Sequence, residues 1–220
     1  VKLALAEDIG TGDATTLATV PRGAIVVALM RAREPLVVAG VAFAESAFRS
    51  LSSGVRVKRL AEDGQRTEPG ASLLEISGPA RAILSAERVA LNFVQRLSGI
   101  ASLTTRFVDA VKGTRAQILD TRKTTPGWRR LEKYAVRCGG GSNHRTGLFD
   151  AILIKDNHLA LAAEQHRSPA DAVRAAREFV GRMTPELFPE VDASRMIIEV
   201  EIDRLDTLDS VHHAASIPEP

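Results

Sequence analysis

A chain of 220 residues, 45% apolar and 25% charged, holds enough material for one large globular domain or two small ones. Its net charge is only +2 and its aromatic content 4%, so neither nucleic acid nor a membrane surface is attracted by the chain as a whole. No apolar run reaches the roughly 18 residues of a membrane-spanning helix. The single cysteine, Cys138, excludes an internal disulfide framework and fits a reducing cytosol, the expected location.

The chain opens at Val1 inside a helix-like segment, LALAEDI, so its natural start is expected upstream. EDIGTGDATT then reads as a polar turn, with Gly10 and Gly12 breaking the helix and Asp13, Thr15 and Thr16 closing turns. The β-branched run AIVVALMR (24–31) predicts a strand, and Val37 to Val41 a second one. VAFAESAFRSL (41–51) carries its apolar residues at helical spacing, whereas VRVKRL (55–60) alternates like a half-buried strand. Another strand is expected over 71–76. These elements suggest a small α+β layer. A long helix follows over 80–111, its stripe set by Ile83, Ala86, Val89 or Ala90, Phe93, Val94 and Leu97. Gly99 is expected to divide that helix, which places a domain boundary near residue 100 and gives domains 1–100 and 101–220.

Beyond it the pattern alternates. AQILD (116–120), AILIK (151–155) and MIIEVEI (196–202) read as strands. Helices are expected from Pro126 to about 138 with Thr125 as cap, over 168–182 and over 204–215. MTPELFPEVDASR (183–195) reads as a surface loop, and SIPEP closes the chain without a clear element. Strand and helix in alternation indicate a parallel α/β sheet or barrel. Polar residues gather after the strands: Thr121, Arg122 and Lys123, then Lys155 and Asp156, then Glu199 and Glu201. In a parallel barrel that end carries the ligand site.

Residues 121–145 contain seven Lys or Arg and one acid, Glu132. Cations beside a glycine-rich backbone suit a small polyanion, by the Arg fork, the Lys point charge and close main-chain approach. Arg122 and Lys123 fit either an anion site at a helix start or a solvated loop. Arg129, Arg130, Lys133 and Arg137 are expected on a solvated basic helix face, with Glu132 as their local partner. Gly139–Gly141 exceed the one glycine that a helix end needs, and they precede His144 and Arg145. Lys155 either snorkels or reaches into a site. Glu199 and Glu201 share one strand face, either a barrel interior or an exposed edge. His158, His166, His212 and His213 lack metal-ligand spacing, and Cys138 reads as a small buried residue.

At these residues the chain resembles the quinolinate phosphoribosyltransferase family, also called nicotinate-nucleotide pyrophosphorylase (carboxylating). The resemblance rests on ALAEDIGTGDATT (4–16), ERVALNFVQRLSGIA (87–101), DTRKTTPGWRRLEKYAVRCGGGSNHRTGLFDAILIKDNH (120–158) and IEVEID (198–203). It implies an α/β protein, an N-terminal open-faced α+β sandwich followed by a parallel α/β barrel that is incomplete here. It implies a pentosyltransferase that moves phosphoribose from phosphoribosyl pyrophosphate to quinolinate. Carbon dioxide is lost, and nicotinate mononucleotide and pyrophosphate form in de novo NAD synthesis. Magnesium would accompany the phosphoribosyl pyrophosphate. The family's dicarboxylate-gripping positions fall on Arg122, His144, Arg145 and Lys155, and an arginine donated across a homodimer or higher homo-oligomer falls on Arg88. Lys123 and Glu201 match the phosphoribosyl pyrophosphate side. Thr121 is included among the substrate-binding positions, and Lys123, Lys155 and Glu201 are taken as the catalytic group. The family's LLDN-like motif and glycine-rich phosphate loops do not occur before Pro220, so the chain is expected to be a fragment with little activity alone. Rival readings are a same-fold paralogue with another acceptor, such as the molybdenum-transport-associated homologues, and a non-catalytic anion-binding remnant.

Overall fold

The computed structural model describes residues 1–184, 186, 188–189 and 191–215; Pro185, Leu187 and Glu190 of the predicted loop, and the closing SIPEP, lie outside the described residues. The chain forms two compact units, Val1–His144 and Arg145–Pro220.

In the first unit, helix α1 (Lys2–Ile9) stops at Gly10, whose φ is 52°. The expected polar turn contains a second short helix, α2 (Ala14–Thr19). Asp13 caps it by accepting a bond from the Thr16 N–H at 2.9 Å, a signal already present in the sequence. The Ser85 hydroxyl donates to the same carboxylate at 2.8 Å. These bonds hold the Asp13 carboxyl below its ordinary pKa.

Strands β1 (Ile25–Arg31), β3 (Arg56–Arg59) and β5 (Ser72–Pro79) form an antiparallel sheet in the order β1-β5-β3. The predicted strand at 37–41 is only a two-residue piece, β2 (Leu36–Val37), paired with β4 (Arg66–Thr67). The reason lies in a neighbouring helix, α4 (Ala80–Ala110). Ser102 Oγ accepts from Val37 N–H at 2.8 Å, and Ser98 Oγ accepts from Ala39 N–H at 2.9 Å. Helix side chains thus satisfy main-chain groups that a strand would have paired. Helix α3 (Val41–Leu51) follows at once, as its spacing predicts.

Helices α3 and α4 cover one face of the sheet. Leu73, Leu74 and Ile76 from β5 meet Ala44, Ala47 and Phe48 from α3 and Ala86, Ala90, Phe93 and Val94 from α4. The other face is open, with Ile25 and Val27 each 70% exposed. Gly99 does not divide α4. The helix runs unbroken for 31 residues because Leu97, Ser98 and Ala101 on either side of that glycine are buried.

Two expectations for residues 116–138 are corrected. AQILD forms no strand, only a single parallel bridge between Leu119 and Ser142. The ladder ends because the next amide, that of His144, donates to the Asp120 carboxylate at 2.9 Å. Helix α5 (Arg129–Cys138) starts three residues later than Pro126 suggested, with no side-chain cap. Gly127 has a φ of 79°, which a right-handed helix cannot hold, and Trp128 N–H closes a turn on the Thr125 carbonyl at 3.0 Å. Trp128 stacks on Phe93, and Phe93 on Phe43, with centroids 5.3 and 5.4 Å apart, which fixes the start of α5 against α4.

In the second unit, β6 (Ile152–Ile154) pairs in parallel with β7 (Ile198–Val200). The parallel pairing requires a crossover, supplied by α6 (Asp156–Glu164), absent from the sequence reading, and α7 (Pro169–Gly181). Ser168 and Asp171 cap α7 reciprocally and Pro169 takes its first position. After β7 a 3-10 turn (Leu205–Thr207) leads into α8 (Leu208–Ala215). Ile154, Ala170, Val173, Val211 and Ala214 form this unit's core.

Candidate active site

The first unit carries Thr121, Arg122, Lys123 and His144 on two loops packed against α5. Asp120 opens the first loop with its side chain 7% exposed. One carboxylate oxygen accepts from Lys133 Nζ and from the His144 N–H at 2.9 Å. The other accepts from Asn143 Nδ2 at 2.5 Å. Lys133 Nζ also donates to the His144 carbonyl at 3.0 Å, and Asn143 Nδ2 to the Lys133 carbonyl at 2.9 Å. The expectation of a solvated Lys133 is therefore wrong. Its side chain is 4% exposed and held in a closed ionic network. A lysine among four basic residues on one helix looks solvated only until a partner from another loop is folded onto it.

Glu132, the preceding residue, is likewise not a partner for its own helix face. It accepts from Arg96 of α4 at 2.7 Å, from the Thr125 hydroxyl at 2.8 Å and from the Thr125 N–H at 3.3 Å. Burial works to raise the pKa of Glu132, but the Arg96 and Thr125 bonds outweigh it and hold the carboxyl below its ordinary range. Arg129 Nε donates to Thr124 Oγ1 at 3.2 Å. The loop 121–124 is thus fastened at both ends, and within it Lys123 N–H donates to Thr121 Oγ1 at 3.1 Å. Thr121 and Lys123 are exposed, and Arg122 is half-buried. Arg122 Nε is buried with no hydrogen-bond partner among the described residues.

Gly139 and Gly141 have a packing reason, and Gly140 a conformational one. A Cβ on Gly139 would lie 2.4 Å from the Ala101 carbonyl oxygen of α4. One on Gly141 would lie 2.8 Å from Val136 Cγ1 and 2.9 Å from Thr104 Cγ2. Gly140 has a φ of 85° and turns the chain. The Gly139 carbonyl accepts from Thr105 Oγ1 at 3.0 Å, so this backbone is seated on α4. Cys138 next to it is partly buried, and burial pushes its thiol pKa up, away from nucleophile chemistry. Arg88 stands exposed on α4 between the buried Ala86 and Val89.

The second unit carries Arg145, Lys155 and Glu201. Arg145 is half-buried, and its guanidinium donates to the Ala151 carbonyl at 3.4 Å. Asp150 accepts from Thr146 N–H at 2.7 Å and Gly147 N–H at 2.9 Å, holding the loop after Arg145. Burial alone would raise the Asp150 pKa, but these bonds lower it. Lys155 leaves the end of β6, and Glu201 follows β7. Their ion pair spans 3.1 Å with side chains 43% and 50% exposed. The structure therefore brings these two predicted residues together. Glu201 N–H continues the strand pairing to the Ile154 carbonyl at 2.9 Å, which sets the two side chains beside each other. Asp120, Lys133, Asn143 and Glu132 fasten the loops that carry the predicted residues, and sequence reasoning missed that role. The available signal was confined to Asp120 and Asn143, which directly precede Thr121 and His144 in the chain.

Among the described residues no helix is long and apolar enough to cross a membrane. A family model described as quinolinate phosphoribosyl transferase, N-terminal domain, matches residues 13–98, and its C-terminal counterpart matches residues 100–217. The nicotinate-nucleotide pyrophosphorylase [carboxylating] of Mycobacterium leprae is 47% identical over 214 residues, which are 96% of this chain and 69% of that one. The chloroplastic protein of that name from Arabidopsis thaliana is 44% identical over 202 residues, 91% of this chain and 56% of its own. Among solved structures, NadC from Streptococcus pyogenes superposes with a TM-score of 0.86 at 38% identity, over 97% of this chain and 70% of that one. The nicotinate-nucleotide pyrophosphorylase of Francisella tularensis gives 0.83 at 39% identity, over 97% and 69%.

Proposed function

The chain belongs to the quinolinate phosphoribosyltransferase family, and from that premise we propose that it serves the carboxylating nicotinate-nucleotide pyrophosphorylase reaction. Quinolinate and phosphoribosyl pyrophosphate become nicotinate mononucleotide, pyrophosphate and carbon dioxide, a step of de novo NAD synthesis. Arg122, His144, Arg145 and Lys155 are the residues that grip the quinolinate carboxylates. Thr121, Lys123 and Glu201 serve the phosphoribosyl side, with Lys123, Lys155 and Glu201 as the catalytic group. The observation that carries this reading is the unpartnered, buried Nε of Arg122 in a loop fastened at both ends. Leaving such a charged donor unpaired costs about 1–3 kcal/mol or more, which favours any rearrangement of the Arg122 side chain that turns it to a carboxylate.

The chemistry asks little of the protein beyond placement and charge. The pyridine nitrogen bonds to the anomeric carbon as the bond to the pyrophosphate oxygen breaks. Fixed cations such as Lys123 stabilise the departing charge. Magnesium bound with the donor's diphosphate would supply further charge neutralisation, and the half-exposed carboxylate of Glu201 would help to hold it. The ribosylated nitrogen is cationic, so the neighbouring carboxylate leaves as carbon dioxide and its electron pair stays on the ring carbon until a proton arrives. No residue acts as a nucleophile, and a trapped phosphoribosyl-enzyme would contradict that. The domain extents 1–100 and 101–220, and a homo-oligomer to which Arg88 is donated across the interface, belong to the same proposal. The exposure of Arg88 and the open apolar face of β1 support the latter.

The test is pyrophosphate release together with labelled carbon dioxide from quinolinate carrying label in its 2-carboxylate. Equal yields of both, absent when nicotinate replaces quinolinate, are expected. Pyrophosphate release without label, or with a different acceptor only, overturns the reading.

A further inference from the structure

We propose that the Glu132–Lys133 dipeptide of α5 is a double clamp that positions the substrate-gripping residues of the first unit, and that Lys133 with Asp120 is its principal half. The inference rests on the site reading above and names residues that the reading does not use. Successive helix residues point in different directions, and here they reach the two ends of one loop. Lys133 binds Asp120 at the loop's beginning, and Glu132 binds Thr125 just past its end. The residues between, Thr121 to Thr124, include Arg122 and Lys123.

The same lysine fixes the second loop as well. Its Nζ donates to the His144 carbonyl, while Asp120 takes the His144 amide. Both main-chain polar groups of His144 are thus engaged by one buried ion pair. Asn143 closes the ring between Asp120 and the Lys133 carbonyl. Lys133 and Asp120 are closed to a ligand, their side chains being 4% and 7% exposed. They are positioning residues, acting through Arg122 and His144. A preorganised site needs its ligands held by a supporting shell of this kind.

The geometry separates positioning from mere stability. Replacing a buried ion pair with apolar residues of similar volume commonly preserves stability. The double variant Asp120→Leu/Lys133→Met would therefore keep the fold and remove the clamp. Tested in the full-length protein, it is expected to melt within a few degrees of the unaltered protein. Its quinolinate KM should rise at least tenfold while kcat at saturation changes less than threefold. Amide exchange at His144 should accelerate at least tenfold, with that of Ala135 inside α5 within twofold. Asp120→Asn, a smaller change, should move exchange and KM in the same direction if the double variant does not fold.

Recovery of the quinolinate KM together with the melting temperature would show a structural role only and overturn the proposal. So would an unchanged His144 exchange rate in either folded variant. Should the unaltered protein fail to use quinolinate, the function reading falls. The exchange rates still judge the clamp: acceleration confined to His144 supports it, and equal acceleration throughout α5 refutes it.

Discussion

Lys133 and Lys155 each face one carboxylate, under opposite conditions. The Lys133–Asp120 pair is almost wholly buried, whereas the Lys155–Glu201 pair has side chains 43% and 50% exposed. A buried pair is desolvated at high cost and keeps its partners only by satisfying nearly every donor and acceptor. The hydrogen bonds to Asn143 and to both main-chain groups of His144 do that for Asp120 and Lys133. An exposed pair can be opened at little cost, so its members remain available to an incoming anion or metal-bound phosphate. The first unit thus fixes the loops of Arg122 and His144 with a buried pair of charges. The second unit offers charges that can change partner.

The sharpest way to break this contrast is Lys133→Met alone. It leaves Asp120 as an uncompensated buried carboxylate, which costs about 3–5 kcal/mol, and calorimetry should show a melting temperature lower by roughly 10 °C. A loss within error would mean that the pair is not buried in solution. Gly139→Ala is expected next, because its Cβ meets a main-chain oxygen of α4 at 2.4 Å. Overpacking of this type costs about 1–3 kcal/mol, measurable by denaturant unfolding.

Glu132→Gln probes the other half of the clamp through pH. The folded-state pKa of Glu132 is lowered, so the stability it adds is complete above the ordinary carboxylate range and is lost as pH falls through the lowered value. Asp150 behaves with the same sign. Melting temperatures of the unaltered protein should therefore fall on acidification below about pH 4.5, and Glu132→Gln should flatten that fall. The smallest stability effect belongs to Glu201→Gln, within about 1 kcal/mol. Turnover should nevertheless drop on the order of a hundredfold if Glu201 serves the transition state. Melting loss without loss of turnover would reverse the roles given to the two pairs.

Much of the fold was readable because periodicity reports burial. The stripe of α4, the spacing of α3 and the β-branched run of β1 all rest on local signals. Where main-chain groups find partners outside a regular ladder, local reading failed. The shortened β2 depends on serines of α4, and the lost strand at 116–120 on the Asp120 carboxylate. The late start of α5 depends on Gly127, visible in the sequence but overruled there by Thr125 and Pro126. Arg122, His144, Arg145 and Lys155 were singled out by charge and context, and their dicarboxylate role came from the family resemblance. Lys133 was misjudged because charge pattern on one helix contains no information about a carboxylate that another loop delivers.

Helix α4 has a mechanical consequence. At about 1.5 Å per residue its 31 residues make a rod roughly 46 Å long. Arg88 sits on it about 12 Å of axial rise before Arg96, the residue that grips Glu132 and Thr125. Because residues 88–96 lie within one continuous helix, that distance behaves as a fixed gauge. The turn bearing Arg88 is thus tied to the loop of Arg122 by a continuous helix and the bonds of Arg96.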